Sequence, residues 1–455
     1  MGGRPLTIAA RPSPLSRVQV AEALAALRRI FPAETEFDLL FTDTPGDRDR
    51  STPLSDPSVP DDFFTRDLDQ LLLTRGADLA VHSAKDLPRR MPRGLAVAAL
   101  LPCLDPRDAL VVRPGVAWPD GVRIVGSSTP RRDAAVRALL PTAELRPIRG
   151  NIEQRLAVLD QGNYDAIVVA ACALIRLGLS HRIHSYLPGD AAPLQGHLAI
   201  VAREEDVELI AAIRPLDFRR RLFDEPALGP TPPAEWPPDA ILFTGTHPEH
   251  FARLGPVVPW PMIRLEPVSL EERLAALDHH LRNCSAVAFA SAFAARVFAH
   301  AWAHWPGAWQ SPLRLRIYAV GPAAGDAAER LGFAPDAIAH DFGGIASLLR
   351  ELARQPGEHC FYPASDRSPL EERRRAMAEH GIELHAAVFY HTRDHCPGPL
   401  PHRPFAGVMF TSPSTVEAWL RYYPDERHAR RRWLAIGPTT LRAMREAGLE
   451  GEMIG

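Results

Sequence analysis

Along residues 1–217, short apolar runs bounded by turn residues alternate with stretches whose apolar positions recur at helical spacing. PLTIAA, FDLLFT, LAVHSA, LAVAAL, ALVV, RIVGS, ELRPI and DAIVVAA read as strands. VAEALAALRRI, FTRDLDQLLLT, RRDAAVRALL and EQRLAVLDQG, lying between them, read as helices. This alternation predicts open α/β domains. The stretch FRRRLFDEPALGPTPPAEWPP, dense in proline and charge, predicts a linker over 218–237. Alternation resumes at AILFTGT and runs to the C-terminus. Here the chain echoes itself: AVAFASAFAARVF (286–298) resembles GVMFTSPSTVEAW (407–419), and IYAVGPAAGDAAERLGF (317–333) resembles WLAIGPTTLRAMREAGL (433–449). Two motifs in the same order at similar spacing predict two related α/β domains.

A junction recurs in both halves. A strand ends, Ser, Thr or Gly follows, then Pro opens a helix, at Ser13-Pro14, Thr129-Pro130, Ser412-Pro413 and Gly437-Pro438. Ser and Thr cap free backbone N–H groups, and Pro suits the first helical position. Such helix starts gather at the carboxyl ends of parallel strands, where α/β sheets bind ligands, and they favour anions. Ordinary capping accounts for any one of them.

The composition is that of a globular chain: 455 residues, 46% hydrophobic and 24% charged, enough for three or four domains. No apolar run is long enough to span a membrane, and MGGRPLTIAARPSP lacks a signal pattern, so a cytoplasmic protein is expected. A net charge of −3 gives no sign of nucleic acid. Cys103, Cys172, Cys284, Cys360 and Cys396 show no paired spacing, so neither disulfides nor a metal site is expected. Lys85 is the only lysine; every other basic side chain apart from histidine is arginine. Either it persists by chance, or position 85 requires a compact ammonium.

Charged and hydroxyl groups collect after strands in the first half: Arg11 to Pro14, His82 to Pro88, Gly126 to Arg132, and Arg149 to Arg155. Arg11, Arg131, Arg132, Arg149 and Arg155 would line one cleft, more arginine than a single carboxylate requires. A polyanionic ligand is expected. Solvated helix-start arginines are the alternative for each taken alone.

HSAKDLP, DPRDALV, GSSTPRR, RGNIEQRL and YDAIVVAACALIRLGL resemble hydroxymethylbilane synthase, or porphobilinogen deaminase, over about residues 5–215. FASAFA, AVGP, FYHT, FTSPSTV and IGPTT resemble uroporphyrinogen III synthase over about 238–452. The resemblance implies an α/β fold with two periplasmic-binding-protein-like domains, 1–99 plus 200–217 and 100–199. Two further α/β domains of the synthase type would follow the linker, 238–265 plus 392–455 and 266–391. It implies a bifunctional enzyme of tetrapyrrole synthesis. The first half would condense porphobilinogen to hydroxymethylbilane with loss of ammonia. The second would cyclise that product to uroporphyrinogen III, inverting the last ring. The ligands implied are pyrroles carrying acetates and propionates.

By the same resemblance Asp86 is the catalytic carboxylate among the pyrrole N–H groups, with Lys85 beside the leaving group or a ring carboxylate. Arg11, Ser13, Ser83, Ser127, Ser128, Thr129, Arg131, Arg132, Arg149, Asn151 and Arg155 would bind substrate. In the second half Tyr390 would assist hydroxide departure, with Ser291, Ser412, Thr439 and Thr440 facing the substrate.

The chain departs from the deaminase pattern. The family's third domain carries a Gly-Gly-Cys cysteine that holds a dipyrromethane cofactor; here AREEDVELIAAIRPLD leads into the linker, and no cysteine matches that anchor. The family's Gly- and Lys-rich loop reads SDPSVPDDFF, and its Gly-Gln-Gly segment reads Gln195-Gly196-His197-Leu198. Three arrangements reconcile this: an untethered cofactor held by the arginines, a separate protein supplying the missing domain, or a first half that only binds pyrroles or bilanes while the synthase works.

Overall fold

The protein, described from a computed structural model, is covered at residues 4–49, 52, 56, 58–223, 233, 235–246, 248, 251, 254–305, 315–339, 348, 352, 358–400, 404–429 and 431–454. It divides into two compact units, Met1–Arg220 and Arg221–Gly455.

The first unit holds two five-stranded sheets. In one, β1 (Leu6–Ala10) is flanked in parallel by β2 (Phe37–Phe41) and β3 (Leu79–Ser83). Next to β3 runs β10 (Leu198–Arg203), antiparallel to it and to β4 (Leu95–Leu100). All the residues of β10 are buried, because it lies inside the sheet. The other sheet is ordered β7 (Glu144–Pro147), β6 (Ile124–Ser127), β8 (Ala166–Ala170), β5 (Asp108–Val112) and β9 (Ser185–Tyr186), with β5 antiparallel to both neighbours. The eight strands and four helices read from the sequence all form; β9 and β10 are additions to the strands.

Continuous apolar runs such as Ala166–Ala170 are buried on both faces, as sheets covered by helices require. The helix Pro14–Leu27 turns Gln19, Val20, Ala23, Ala26 and Leu27 inward at three- to four-residue spacing. Ser13 accepts the Ser16 N–H at its start, Thr129 accepts that of Arg132, and Asn151 forms a capping box with Gln154. These caps set three segments at strand ends, after β1, β6 and β7, and a single 3-10 turn, Ala84–Asp86, sets a fourth after β3.

In the second unit β12 (Val257–Pro259), β11 (Ile241–Phe243), β19 (Gly407–Phe410), β20 (Arg432–Ala435) and β21 (Glu452–Met453) form a parallel sheet. A six-stranded sheet is ordered β13 (Ile263–Pro267), β18 (Glu383–Asp394), β17 (His359–Ser365), β14 (Ala286–Phe289), β15 (Arg316–Val320) and β16 (Ala337–Ala339). Only β13 runs antiparallel, against β18. The limits drawn from sequence at 265/266 and 391/392 therefore fall inside β13 and β18. The echoed segments take the same form, strand, helix, parallel strand, helix, in each sheet. Their caps even share backbone angles: φ −160°, ψ 161° at Ser291 and φ −162°, ψ 162° at Ser412.

Of the expected linker, Phe218 stacks on His197 in the first unit and Phe223 packs on Phe293 and His300 in the second. Residues 224–232 and 234 lie outside the described residues. Among the described residues no helix is long and apolar enough to cross a membrane.

Candidate active site

In the first unit a cavity of about 540 Å³ opens between the strand-end segments. Arg11, Ser13, Ser83, Lys85, Asp86, Ser128, Thr129, Arg131, Arg132, Arg149, Asn151 and Arg155 all line it. Ser127 does not: it closes β6, its side chain is buried, and its hydroxyl has no hydrogen-bond partner.

Six cations stand in the wall, and three of them, Arg11, Arg131 and Arg132, are engaged by internal carboxylates. Arg11 donates both sides of its fork to Asp47, at 2.9 and 2.5 Å, and lies over the Phe64 ring. Burial by itself would lower the Arg11 pKa, but the bond to Asp47 outweighs it and leaves the guanidinium raised. Asp47 is held in turn by the Thr44 N–H and hydroxyl. On the opposite sheet Arg132 donates from Nε and Nη2 to Asp108 Oδ1, at 3.0 and 2.6 Å. Arg131 Nη2 stands 2.6 Å from Asp108 Oδ2. Burial pushes the Asp108 carboxyl up, yet Arg132 more than reverses this and holds it low.

Gln195 connects this pair to the lysine. Its Nε2 donates to Asp108 Oδ1 at 3.0 Å, and its Oε1 accepts from Lys85 Nζ at 3.1 Å. Lys85 reaches solvent through the cavity mouth, but protein encloses its ammonium. That loss of water, and then the Arg132 charge, lower its pKa, which the Asp86 charge only partly offsets. The ammonium thus sits among arginines on a fixed amide, a place for a compact donor.

Arg149 donates to the Asp49 carbonyl, while its buried Nε has no partner. Arg155 donates to the Gly150 carbonyl and to Ser128 Oγ. Burial, then Arg132 and Arg149, push Arg155 down to about 10, so it keeps its charge at neutral pH. Ser83 Oγ accepts from Gln19 Nε2 at 2.8 Å. Asp86, in the single turn Ala84–Asp86 after β3, is different: no hydrogen bond or ion pair engages its carboxylate among the described residues. The cavity therefore offers cationic donors to anions and, at Asp86 and at the exposed Asp43, carboxylates with no hydrogen bond or ion pair among the described residues to a cation or N–H.

Sequence reading overlooked Asp47, Asp108 and Gln19, and took Gln195 only as part of an altered segment. Asp108 lies within the quoted DPRDALV, but nothing in a sequence marks a carboxylate that will meet an arginine 24 positions away.

In the second unit Ser291 Oγ and Tyr390 OH stand 3.3 Å apart at the carboxyl ends of β14 and β17. Burial raises the Tyr390 hydroxyl pKa, the Ser291 bond partly opposing it, and the ring meets Phe293 edge-on. Asp366, also at this end, gathers the Thr392 N–H, His391, the Ser365 hydroxyl and Arg393; the first three outweigh burial and hold its carboxyl at about 2. Ser412 caps the helix Pro413–Tyr422 and pairs with Ser414. At the start of the helix Pro438–Glu446, Thr439 is exposed and Thr440 buried.

Fold and cavity together define a class: a paired-sheet α/β protein whose strand ends gather cationic side chains around one cavity, followed by a second α/β protein of duplicated design. The chain belongs to the porphobilinogen deaminase family in its first unit, fused to a uroporphyrinogen III synthase unit. Residues 6–211 match the family described as "Porphobilinogen deaminase, dipyromethane cofactor binding domain", and 252–454 that described as "Uroporphyrinogen-III synthase HemD". The porphobilinogen deaminase of Deinococcus radiodurans is 40% identical over 212 residues, 45% of this chain and 68% of that one. That of Burkholderia mallei is 41% identical over 210 residues, 44% and 63% respectively. The chain thus spans about two thirds of the length of these relatives. A uroporphyrinogen-III synthetase structure from Helicobacter pylori is 17% identical, covering 47% of this chain and 92% of its own, at a TM-score of 0.34.

The family's dipyrromethane can be tested against these residues. The cavity has the volume of a small-ligand site, and its donors suit a tetracarboxylate. Its tether is another matter, since no cysteine is among the lining residues. Cys172 is buried beside Ala170 and Ala173, and Cys103 Sγ donates to the Gln195 carbonyl, its pKa pushed up to about 11 by burial.

Proposed function

We propose that the first unit condenses porphobilinogen to hydroxymethylbilane with loss of ammonia, and that the second closes this product to uroporphyrinogen III with inversion of the last ring, both in the cytoplasm. The observation that carries the first step is the Asp86 carboxylate, held by no hydrogen bond or ion pair among the described residues, in a cavity that also gathers Lys85 and five arginines. Arg11, Arg131, Arg132, Arg149 and Arg155 would bind the acetates and propionates of successive rings. Asp86 would accept pyrrole N–H bonds and stabilise the cation that develops as ammonia departs; a placed group of this kind is worth about 10²–10³ in rate. Lys85 would hold a ring carboxylate or the departing nitrogen with its ammonium. A dipyrromethane, when bound, supplies the pyrrole carbon from which the chain grows. Arg149, Arg155 and Lys85 would hold it without a covalent bond to the wall. In the second unit Tyr390, bonded to Ser291, would donate a proton to the leaving hydroxide, with Ser412, Thr439 and Thr440 orienting the linear substrate.

The wall without a thiol favours a second reading, in which the first unit only binds pyrroles or bilanes and a separate protein performs condensation. Incubating the whole protein with porphobilinogen, then oxidising and separating the uroporphyrin isomers, distinguishes them. Isomer III establishes both activities. No porphyrin, with isomer III formed from supplied hydroxymethylbilane, establishes the second reading. Isomer I alone refutes the synthase assignment.

A further inference from the structure

We propose that His359, His385 and Glu383 form a site for a divalent transition metal of zinc type, at the amino edge of the six-stranded sheet. The ligand atoms converge. His359 Nδ1 and His385 Nε2 are 3.4 Å apart, His359 Nδ1 and a Glu383 oxygen 3.3 Å, and His385 Nε2 and the other oxygen 3.2 Å. Ligands about 2.0–2.1 Å from a tetrahedral zinc stand about 3.3–3.4 Å from one another. The two contacts to Glu383 use different oxygens, so with one atom from each residue the three stand within 4.8 Å of one another, a triangle that a small turn of the carboxylate brings to one face of such a tetrahedron; two imidazoles with a carboxylate are a donor set suited to zinc.

Strand geometry places these groups without a loop. His359 and Glu383 are the first residues of β17 and β18 and are register partners, while Phe361 is the partner of His385. Glu383 and His385, two apart on one strand, share a face. Ser285 braces His359, its Oγ accepting the His359 N–H and standing 3.4 Å from the carbonyl. The side chains of His359 and Glu383 are 45% and 63% exposed and that of His385 18%, which leaves the fourth position to water and a path for the ion. Without a metal, two ring nitrogens face each other and one carboxylate, and each lone pair needs a proton to share. A metal takes both lone pairs and the carboxylate together. Arg374, the cation nearby, is paired with Glu371.

Ser291 and Tyr390 lie at the opposite, carboxyl edge of this sheet. The site is thus a clasp between two strand starts, separate from the chemistry proposed above and independent of it. The test is zinc chloride titrated into the whole protein by calorimetry. One equivalent should bind tighter than about 100 μM, and His385→Ala and Glu383→Gln should each weaken it by about tenfold or more. Weaker binding than that, or a loss below tenfold in both variants, overturns the proposal. Should the variants fail to fold, cobalt(II) added to the wild type decides: intense visible bands of a four-coordinate ion uphold the site, and the faint bands of a six-coordinate ion refute it.

Discussion

At the scale of single residues the first unit sets the Asp86 carboxylate against six cations, three of them held by internal carboxylates. Asp86→Asn keeps the side chain's shape but removes the charge, so porphobilinogen consumption should fall by about 10²-fold or more while calorimetric binding of the pyrrole stays within a few-fold. Lys85 is lowered by enclosure and by Arg132, so its charge is lost at lower pH than an ordinary lysine's. The affinity for carboxylated pyrroles should therefore decline on the alkaline side below the usual lysine range. Lys85→Met should bind more weakly at neutral pH and lack that decline, as competition titrations across pH would read. The motifs exposed Lys85, Asp86 and the arginines in the sequence because each follows a strand directly. They did not expose Asp47, Asp108 and Gln195, whose roles depend on partners from other elements.

At the scale of elements, helix starts carry much of the design, and their two roles separate by experiment. Ser412→Ala removes a capping box and should cost about 1 kcal/mol, read as a lower denaturation midpoint. If Ser412 also orients substrate, the KM for hydroxymethylbilane rises; if it only caps, KM is unchanged. In the helix Arg66–Leu73, Asp69 is buried and pushed up to about 6, Thr65 giving slight relief. The native state then holds this proton more tightly than the unfolded chain, so Asp69 costs stability as pH rises from about 4 to 6. Relative to Asp69→Asn the wild type should lose about 2–3 kcal/mol over that interval in urea titrations. His82, pushed down to about 3 by burial, acts in the opposite sense over an overlapping range and stands 3.9 Å from Asp69, so the comparison is made in a His82→Gln background.

Apolar runs announced nearly all the first unit's strands, but β10 went unnamed although LAIVAR is as apolar as its neighbours. A strand that returns antiparallel into the middle of a sheet leaves no mark in local pattern. The histidine–glutamate triangle was equally silent, because its ligands lie 24 and 26 positions apart and meet only through the register of β17 with β18.

At the scale of the whole molecule two compact units divide the chain near Arg220. Residues 1–220 and 221–455 produced as separate chains should each unfold in one cooperative transition, followed by circular dichroism. Aggregation of either would show that the units depend on each other. The duplicated strand–helix pattern of the second unit was legible because its motifs repeat in order.

The internal pairs Arg11–Asp47 and Arg132–Asp108 have one more consequence. Asp47, fixed by Thr44, and Asp108, fixed by Gln195, hold the two guanidiniums in one orientation before any ligand arrives. A group that binds to such a preset fork has little side-chain freedom left to remove, so more of its contact energy shows as affinity.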